Sequence, residues 1–521
     1  MTSWSSGYVT DIDYFPGFYA ELSPERCAFG LLSQGLAQCG RTLGPGRSAD
    51  PAYLELGFGY GVSLAVHAAA CPGTYWGADF NPAHALYARD LAEASGADMT
   101  VADDSFEELL ARPDLPQFDM IAVHGVWSWV SDSNRDALIA LVRRHLKPGG
   151  VLNISYNCEP GWAQIAPWQR LVSFMAHGGG RGQTISERAD AAVGFMNRLR
   201  EAGAACFTGN PALGDYVDGL DRHNAHYVIH EHLNRHWRPM LFAETAKLLA
   251  EAKVGFAASA RPLDYVSGIN LTAEMQEVLN GISDPVVRQT VYDYCVNRRF
   301  RWDLFARGVR RMPATDQRET LLATRVALAS TPSAIPMTVP AALGEAELRQ
   351  DIYRPLIDAL AKDDCAPRSL ASLRDEPGLK SLEFGQLAEA VIILVGAGHA
   401  HPVQQEAVIE RARPACARLN SHLCAQALSR EEVNVLASPV IGTGVTVPRF
   451  HQMFLHAIAE GHKTPRDWAK SAWEALSACG QLVLKENKTL ETPEENLAEL
   501  ESIAKTFQSD RLPILKTLGI A

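Results

Sequence analysis

Apolar runs of four to five residues alternate with longer stretches of helical periodicity between residues 51 and 156. We predict strands at residues 53–56, 75–78, 99–102, 120–123 and 151–155, and helices at residues 62–70, 83–95 and 136–146. Strands and helices that alternate at this spacing predict βαβ units and a parallel sheet. Ligands of such sheets lie outside the carboxyl ends of the strands. The residues that directly follow each run are therefore the candidates for a binding site.

A glycine-rich turn joins the first predicted strand to the first predicted helix. Gly57, Gly59 and Gly61 alternate with other residues directly after Glu55. Glycines allow the chain to turn sharply and allow a ligand to approach the backbone. The spacing differs from the Gly-x-Gly-x-x-Gly of dinucleotide enzymes, and the carboxylate would repel a pyrophosphate. It would favour a cationic ligand such as S-adenosylmethionine (SAM), although an ordinary strand–helix turn is the alternative for this motif alone.

Acidic residues follow three successive predicted strands. Asp79 comes 22 residues after Gly57, where a carboxylate can accept both ribose hydroxyls. The next strand end offers carboxylates for an adenine amino group and the ring of Phe106 for stacking. Three such strand ends in succession predict SAM binding. The residues that we expect to bind the cofactor are Glu55, Gly57, Gly59, Gly61, Asp79, Phe80, Asp103, Asp104, Ser105, Phe106 and His124.

These motifs resemble those of a known enzyme family. Residues 55–61, Asp79 and the Lys-Pro-Gly-Gly at 147–150 resemble the signatures of class I SAM-dependent methyltransferases. The segments that resemble a narrower group, bacterial methyltransferases with a methyltransferase regulatory domain, are residues 124–130, 155–162, 227–234 and 298–303. That group includes outer-membrane-protein lysine methyltransferases. The resemblance, which covers residues 8–310, implies a seven-stranded, doubly wound, Rossmann-like and mostly parallel α/β sheet, a downstream regulatory domain and often a homodimer.

Methyl transfer from a sulfonium is an in-line displacement, so the acceptor must be held on the axis of the breaking bond. A lysine acceptor must also lose a proton whose pKa is ordinarily ~10.4. Aromatic walls with a few hydrogen-bond acceptors meet both needs, although tryptophans at strand ends also serve as packing. The walls would come from Trp127, Trp129, Tyr156 and Trp162. The residues that we expect to be catalytic are Tyr156, Asn157, His124, Trp127 and Tyr14.

The leading hypothesis is therefore a SAM-dependent protein-lysine N-methyltransferase. The alternatives are a small-molecule N- or O-methyltransferase and a regulatory protein that binds SAM without transferring its methyl group. A nucleobase acceptor is not supported, because no Asn/Asp-Pro-Pro-Tyr motif follows the fourth predicted strand.

Five histidines lie within 14 residues, at His223, His226, His230, His232 and His236. The zincin motif His-Glu-x-x-His fails because Asn234 stands four residues after His230. Arginines in the same stretch would repel a dication. We expect histidines that are structural or contact the substrate, and no metal site.

Composition narrows the class of protein further. The chain has 521 residues and a net charge of -12, which disfavours a nucleic-acid partner. The N-terminus lacks the features of a signal peptide, and no apolar run reaches the ~18 residues that would span a membrane. Ten cysteines without a Cys-x-x-Cys pair suggest reduced thiols and a cytoplasmic location.

The sequence suggests six segments. They are an aromatic segment covering the active site (1–50), the SAM-binding core (51–159), a helical insertion acting as lid or dimerisation element (160–238), a return to the sheet (239–265), a helical regulatory region (266–335) and a C-terminal domain (341–521). The proline-rich residues 331–340 mark the last boundary. We expect the arginines at 298–301 to lie at a packed domain junction. The C-terminal segment should be mainly helical or winged-helix-like, fold independently and select the acceptor protein.

Overall fold

The computed structural model describes residues 17–37, 50–178, 183–220, 225–486 and 488–521. Tyr14, one of the predicted catalytic residues, lies outside the described residues, as do most of the predicted N-terminal segment and His223.

A seven-stranded sheet forms the centre of the N-terminal half. Its strands are β1 (Ala52–Leu56), β2 (Thr74–Ala78), β3 (Met99–Ala102), β4 (Phe118–Val123), β5 (Leu146–Asn157), β6 (Gly255–Ser259) and β7 (Phe300–Ala306). The strand order is β3-β2-β1-β4-β5-β7-β6. Strands β1 to β5 pair in parallel, and β7 runs antiparallel to both β5 and β6. The predicted mostly parallel, doubly wound sheet is therefore confirmed.

Helices cover both faces of this sheet. The first five are α1 (Pro24–Ser33), α2 (Val62–Ala70), α3 (Pro82–Ser95), α4 (Phe106–Ala111) and α5 (Asp132–His145). Polar side chains begin most of them: Ser23 accepts from the backbone of Arg26 at the start of α1, and Ser105 forms a capping box with Glu108 at the start of α4.

Alternation along the strands decides which face each side chain occupies. Tyr53, Tyr75 and Met120 belong to the core on one face, with residues of α1, α2 and α3. Leu54, Ile121 and other neighbours in sequence belong to the core on the opposite face, which includes residues of α4 and α5.

A helical insertion separates β5 from the rest of the sheet. It consists of α6 (Ala166–Gly178), α7 (Ile185–Glu201), α8 (Ala205–Thr208), α9 (Pro211–Leu220) and α10 (Ala225–His232). The insertion has an apolar core of its own that includes Trp162, Trp168 and Met196. Helix α11 (Phe242–Ala250) then leads back to β6 at the edge of the sheet.

The region 266–335, expected to be helical, contains the helices α12 (Ser267–Asn270), α13 (Ala273–Asn280), α14 (Pro285–Cys295) and α15 (Ala314–Ala323). It differs from that expectation in also containing two strands, β7 and β8 (Arg325–Leu328). In β7, Arg301 and Asp303 are buried and paired with each other, at 2.7 Å between Nε and Oδ2. Their pairing compensates the two charges, so both residues can be buried in the interior. The sequence of β7 therefore contains charged residues and lacks the apolar pattern of the other strands. The arginines at 298–301 thus lead into a sheet strand.

The C-terminal region is mainly helical, with four small sheets. Its strands, besides β8, are β9 (Thr338–Ala341), β10 (Gly344–Glu347), β11 (Arg368–Ser369), β12 (Ala400–Pro402), β13 (Val435–Ser438), β14 (Thr443–Thr446), β15 (Leu484–Lys485) and β16 (Lys488–Thr489). Its helices are α16 (Gln350–Cys365), α17 (Leu370–Arg374), α18 (Phe384–Gly396), α19 (Glu406–Gln426), α20 (Arg449–Ala459), α21 (Pro465–Ala478), α22 (Pro493–Thr506) and α23 (Leu512–Thr517).

This region shares an apolar core with the helix that follows the glycine turn. Val62 and Val66 of α2 belong to the same cluster as Cys416 and Leu419 of α19. The side-chain amide of Gln404 donates to the carbonyl of Ala70 at 2.8 Å. The C-terminal region therefore packs against α2 of the SAM-binding core and shares its apolar core. This arrangement differs from the expectation of an independent module.

Among the described residues, no helix combines the length and the apolar character that crossing a lipid bilayer would require.

Candidate functional site

The glycine turn has the backbone conformation that its sequence suggested. Gly57, Gly59 and Gly61 have φ values of 73°, 59° and 71°. A Cβ on Gly57 would lie 2.4 Å from Val126 Cγ2, and one on Gly61 would lie 2.6 Å from Ala88 Cβ. At Gly57 and Gly61, only glycine fits without displacing neighbours.

Asp79 ties this turn to the end of β2. One carboxylate oxygen accepts from the backbone N–H of Gly59 at 2.9 Å, and the other accepts from the N–H of Asn81 at 3.0 Å. Nδ1 of His84 lies 3.2 Å from the second oxygen. A carboxylate has about four acceptor positions. A ribose bound at Asp79 would therefore use the acceptor positions that the backbone N–H groups leave open. His84 contacts the same carboxylate through a side chain, which can move away when the ribose binds.

Glu55 is buried at the end of β1 and accepts a hydrogen bond from the hydroxyl of Tyr53 at 3.0 Å. Burial raises the pKa of Glu55 to about 8, and the Tyr53 hydrogen bond opposes this shift. The side chain is thus neutral near pH 7 until a cationic group approaches and favours the carboxylate.

The third strand end presents two carboxylates that already have partners. Asp103 is exposed and pairs with Arg89 at 3.0 Å, whereas Asp104 is less exposed and pairs with Arg112 at 3.1 Å. Ser105 is occupied as the cap of α4, and Phe106 packs against the core below it. Phe80 follows Asp79 directly and is partly buried.

His124 follows β4 and is held in an aromatic stack. Its ring lies 4.1 Å from that of Trp302 at an interplanar angle of 9°, and 4.0 Å from that of Tyr19. Nδ1 lies 2.7 Å from the hydroxyl of Ser155, which fixes the ring to the neighbouring strand. Burial, helped by the charge of Arg261, lowers the pKa of His124 to about 3. The imidazole is therefore neutral and offers no charge to a substrate.

Tyr156 and Asn157 are separated by the sheet, although the sequence assigned both to catalysis. Tyr156 is fully buried in the core that contains Ile154 and Phe305, and its hydroxyl donates to Asp303. Burial and the Asp303 charge raise its pKa well above the usual value. Asn157, next in the strand, points to the opposite face, on which Ser155 contacts His124.

Asn157 contacts a carboxyl group that the sequence analysis overlooked. Its Nδ2 donates to Oε1 of Glu231 at 2.7 Å, and Nε1 of Trp237 donates to the same oxygen at 3.3 Å. Burial raises the pKa of Glu231. The sequence signal for this residue is an acidic side chain among the aromatic residues and histidines at 227–237.

The predicted aromatic walls are distributed over two apolar cores and the loop after β4. Trp127 is fully buried in the same core as Tyr156, and Trp162 packs edge-on against Trp237 in the insertion, at 5.2 Å between ring centroids. Trp129 is partly buried in the loop after β4. Trp237, which bonds Glu231, is thus the tryptophan that the structure brings to Asn157.

One member of the histidine cluster, His232, is used for packing. His232 is fully buried among aromatic rings, with Nε2 2.6 Å from the hydroxyl of Tyr216. The described residues contain no group of three or more histidine, cysteine or acidic side chains that could hold a metal ion.

The residues at the strand ends fit SAM. A buried carboxyl at β1 suits a cationic amino acid group, and the Asp79 carboxylate at β2 suits vicinal hydroxyls. The backbone between them is free of side chains at the three glycines, as close approach of a ligand requires.

Comparison with known proteins places this geometry in a family. The family model "Methyltransferase domain" matches residues 54–150, and "Predicted methyltransferase regulatory domain" matches residues 224–307. Over 521 residues, the chain is 36% identical to the uncharacterized protein sll1526 of Synechocystis sp., with 100% of both chains covered. The chain belongs to the class I SAM-dependent methyltransferases that carry a methyltransferase regulatory domain.

Other similarities extend the comparison. This methyltransferase is 26% identical to the uncharacterized protein RP789 of Rickettsia prowazekii over 260 residues. The aligned part covers 48% of this chain and 45% of RP789. Its fold is similar to that of PKMT2 from Rickettsia typhi in complex with AdoHcy, with a TM-score of 0.67 and 16% identity over 97% of this chain and 100% of that one. The enzyme uses SAM as its cofactor.

Proposed function

We propose that this methyltransferase transfers the methyl group of SAM to lysine side chains of a protein acceptor. The observation that carries the proposal is the contact between Asn157 and Glu231, which places a carboxyl and an amide beside the end of β5. An ammonium group is stabilised by such acceptors, and aromatic rings beside them exclude water. The sequence resemblance to outer-membrane-protein lysine methyltransferases supports the same acceptor class.

One set of residues at the site would bind SAM, and a second set would bind the acceptor. Asp79 and the glycine turn hold SAM, which supplies a methyl group on a sulfonium with a neutral thioether as leaving group. Asn157 and Glu231 orient the acceptor nitrogen, and the neutral ring of His124 lies on the same face of the sheet. Positioning of this kind accounts for most of the rate enhancement that an in-line displacement requires.

The C-terminal region is proposed to select the acceptor. It supplies none of the residues that we assign to the SAM pocket or to Asn157 and Glu231, yet it makes up about a third of the chain. A net charge of -12 would speed encounter with a lysine-rich protein. A homodimer and a cytoplasmic location remain predictions from the sequence.

Labelling tests the proposed acceptor directly. The full-length enzyme is incubated with methyl-labelled SAM and a bacterial lysate, and precipitated protein is separated from small molecules and hydrolysed to amino acids. We expect the label in N-methylated lysine. Label confined to the small-molecule fraction, or released from protein by mild base as a methyl ester, would contradict the proposal and favour a small-molecule or carboxyl acceptor. The Asp79→Ala variant, at a SAM concentration that saturates the parent poorly, serves as the control for non-enzymatic labelling.

A further inference from the structure

The carboxyl group of Glu231 lies beside the end of β5, and only one of its two oxygens accepts hydrogen bonds from described residues. Within the described residues, both of its hydrogen bonds, from Asn157 and Trp237, end on Oε1. No described side chain donates to the second oxygen, which can therefore accept a hydrogen bond from an incoming donor. Because Glu231 is only partly buried, such a donor can reach it from outside.

Hydrogen bonds fix this group relative to the strand ends. The hydroxyl of Ser128, in the loop after β4, accepts from the backbone N–H of Asn157 at 2.8 Å. Ser155 joins the same two strands by contacting Nδ1 of His124 at 2.7 Å. Strands β4 and β5 lie on the side of β1 where the strand order reverses, which is where the ligand crevice of a doubly wound sheet opens. Through its hydrogen bond with Asn157, Glu231 is thus held beside the end of β5.

The electrostatic surroundings of Glu231 favour proton uptake. Burial raises its pKa, and the hydrogen bonds from Asn157 and Trp237 oppose that shift without cancelling it. The two arginines on the segment after α10, Arg235 and Arg238, are exposed, and Arg238 lies 3.6 Å from Asp132. His232, beside Glu231 in the chain, contacts Tyr216. None of these charged or titratable neighbours forms an ion pair with Glu231 among the described residues.

We propose, on the basis of the lysine specificity proposed above, that Glu231 is the general base that takes the proton from the incoming lysine ammonium. The proton moves from Nζ to a carboxylate oxygen of Glu231. The freed lone pair on nitrogen forms a bond to the methyl carbon, and the carbon–sulfur bond breaks with its electron pair remaining on sulfur. The products are a methylated lysine ammonium, a neutral thioether and a protonated Glu231 that returns its proton to water. Asn157 is the positioning residue that orients the carboxyl.

The pH profile of Glu231→Gln separates this role from a structural one. Formation of N-methyl-lysine in the lysate protein fraction is measured from pH 6 to 10 for the full-length enzyme and the variant. Loss of a general base lowers kcat/KM by about 10²–10⁴-fold near pH 7. The deficit should shrink as the pH approaches ~10.4, because the lysine then loses its proton without help. In the parent, kcat/KM should fall as the pH drops through the raised pKa of Glu231, since the carboxylate is the active form.

A titration of the protein without cofactor provides a readout that does not depend on activity. With ¹³C at Cδ of glutamate, the NMR signal that disappears in Glu231→Gln reports on this group, and its midpoint should lie above the usual ~4.3. Trp237→Phe removes one donor to the carboxylate and should move the midpoint, and the acid limb of the activity profile, to higher pH. Glu244→Gln, which alters an exposed carboxylate on α11, should change neither measurement.

The outcomes distinguish the two proposals. A Glu231→Gln variant with parental activity, or with an equal loss at every pH, would overturn the role of general base, as would an ordinary midpoint in the titration. A parent enzyme that forms no N-methyl-lysine would overturn the lysine specificity instead, while the titration would still report the state of Glu231.

Discussion

The hydroxyl of Tyr156 donates a 2.7 Å hydrogen bond to Oδ2 of Asp303 across the antiparallel pair of β5 and β7. Arg301 also donates to Asp303, and on its other side it donates to Asp293 at 2.6 Å. The guanidinium lies over the ring of Phe242, 4.2 Å from its centroid. Tyr156 therefore completes a buried charged network that holds β7 against β5.

We expect Tyr156→Phe to lower the free energy of unfolding and to leave catalysis intact. Removal of the hydroxyl leaves Asp303 with one donor fewer in a buried site, which costs about 1–3 kcal/mol. Chemical denaturation would measure the loss, and kcat per folded molecule and the Kd for SAM should match the parent. Asn157→Ala is the matched variant on the opposite face and should lower kcat with little change in SAM affinity. A selective loss of kcat in Tyr156→Phe would return Tyr156 to the catalytic site.

Asp79→Ala should weaken SAM binding by about 1–3 kcal/mol, because the ribose hydroxyls lose a charged acceptor and the glycine turn loses its anchor. Titration calorimetry provides the measurement. His84→Ala is the control, since His84 competes for the same carboxylate, and it should leave SAM affinity unchanged or improve it. Unchanged affinity in Asp79→Ala would remove Asp79 from the binding site.

Glu55 should make SAM binding release a proton. In the free enzyme burial raises the pKa of Glu55 to about 8 from 4.5, so the group is protonated near pH 6.5. A cationic group placed beside it favours the carboxylate and lowers this pKa. Calorimetry at pH 6.5 in buffers of different ionisation enthalpy should detect up to about one proton released per site. Glu55→Gln should release none; a parent enzyme without proton release would contradict a cation at Glu55.

The same shift gives the stability of the free enzyme a defined pH dependence. Between pH 4.5 and about 8 the unfolded chain loses the Glu55 proton while the folded protein keeps it. The unfolded state binds fewer protons in this window, so the contribution of Glu55 to stability falls as pH rises, by at most about 1.4 kcal/mol per pH unit. Comparing the free energy of unfolding of the parent and Glu55→Gln at several pH values isolates this contribution. Parallel pH curves for the two proteins would contradict the raised pKa.

Features encoded by a local sequence pattern were predicted correctly, whereas features that depend on contacts in the folded protein were not. Strands β1 to β4 were predicted to within two residues at each end, because each is an apolar run bounded by polar residues or glycine. Strand β7 was missed because its buried Arg301 and Asp303 neutralise each other only in the folded protein. Neighbouring positions of β5 looked equivalent in the sequence, and the sheet alone assigns Tyr156 and Asn157 to opposite faces. The contact of Asn157 with Glu231 joins residues 74 positions apart, and no local pattern encodes it.

The C-terminal region and the SAM-binding core should unfold in one cooperative transition. The amide of Gln404 donates to Ala70 O at 2.8 Å and to Pro439 O at 2.7 Å, and so joins α2 to the C-terminal region. A Cβ on Gly444 of β14 would lie 2.9 Å from Val66 Cγ1, which shows how closely the two parts approach. Removal of either part would expose the apolar core that they share. A truncated SAM-binding core is therefore expected to be unstable, in contrast to the independent module suggested by the proline-rich segment.

Calorimetric unfolding of the full-length enzyme tests this cooperativity. SAM binds only the core yet should raise the Tm of a single transition, because ligand binding stabilises whatever unfolds together with the site. Gln404→Ala leaves two buried carbonyls without this donor and should lower the stability of the whole protein by about 1–3 kcal/mol. Arg349→Ala is the control within the C-terminal region, because its pair with Asp351 is exposed and such pairs contribute about 0–1 kcal/mol. A second transition that SAM does not shift, and that alone responds to Gln404→Ala, would show that the C-terminal region folds independently after all.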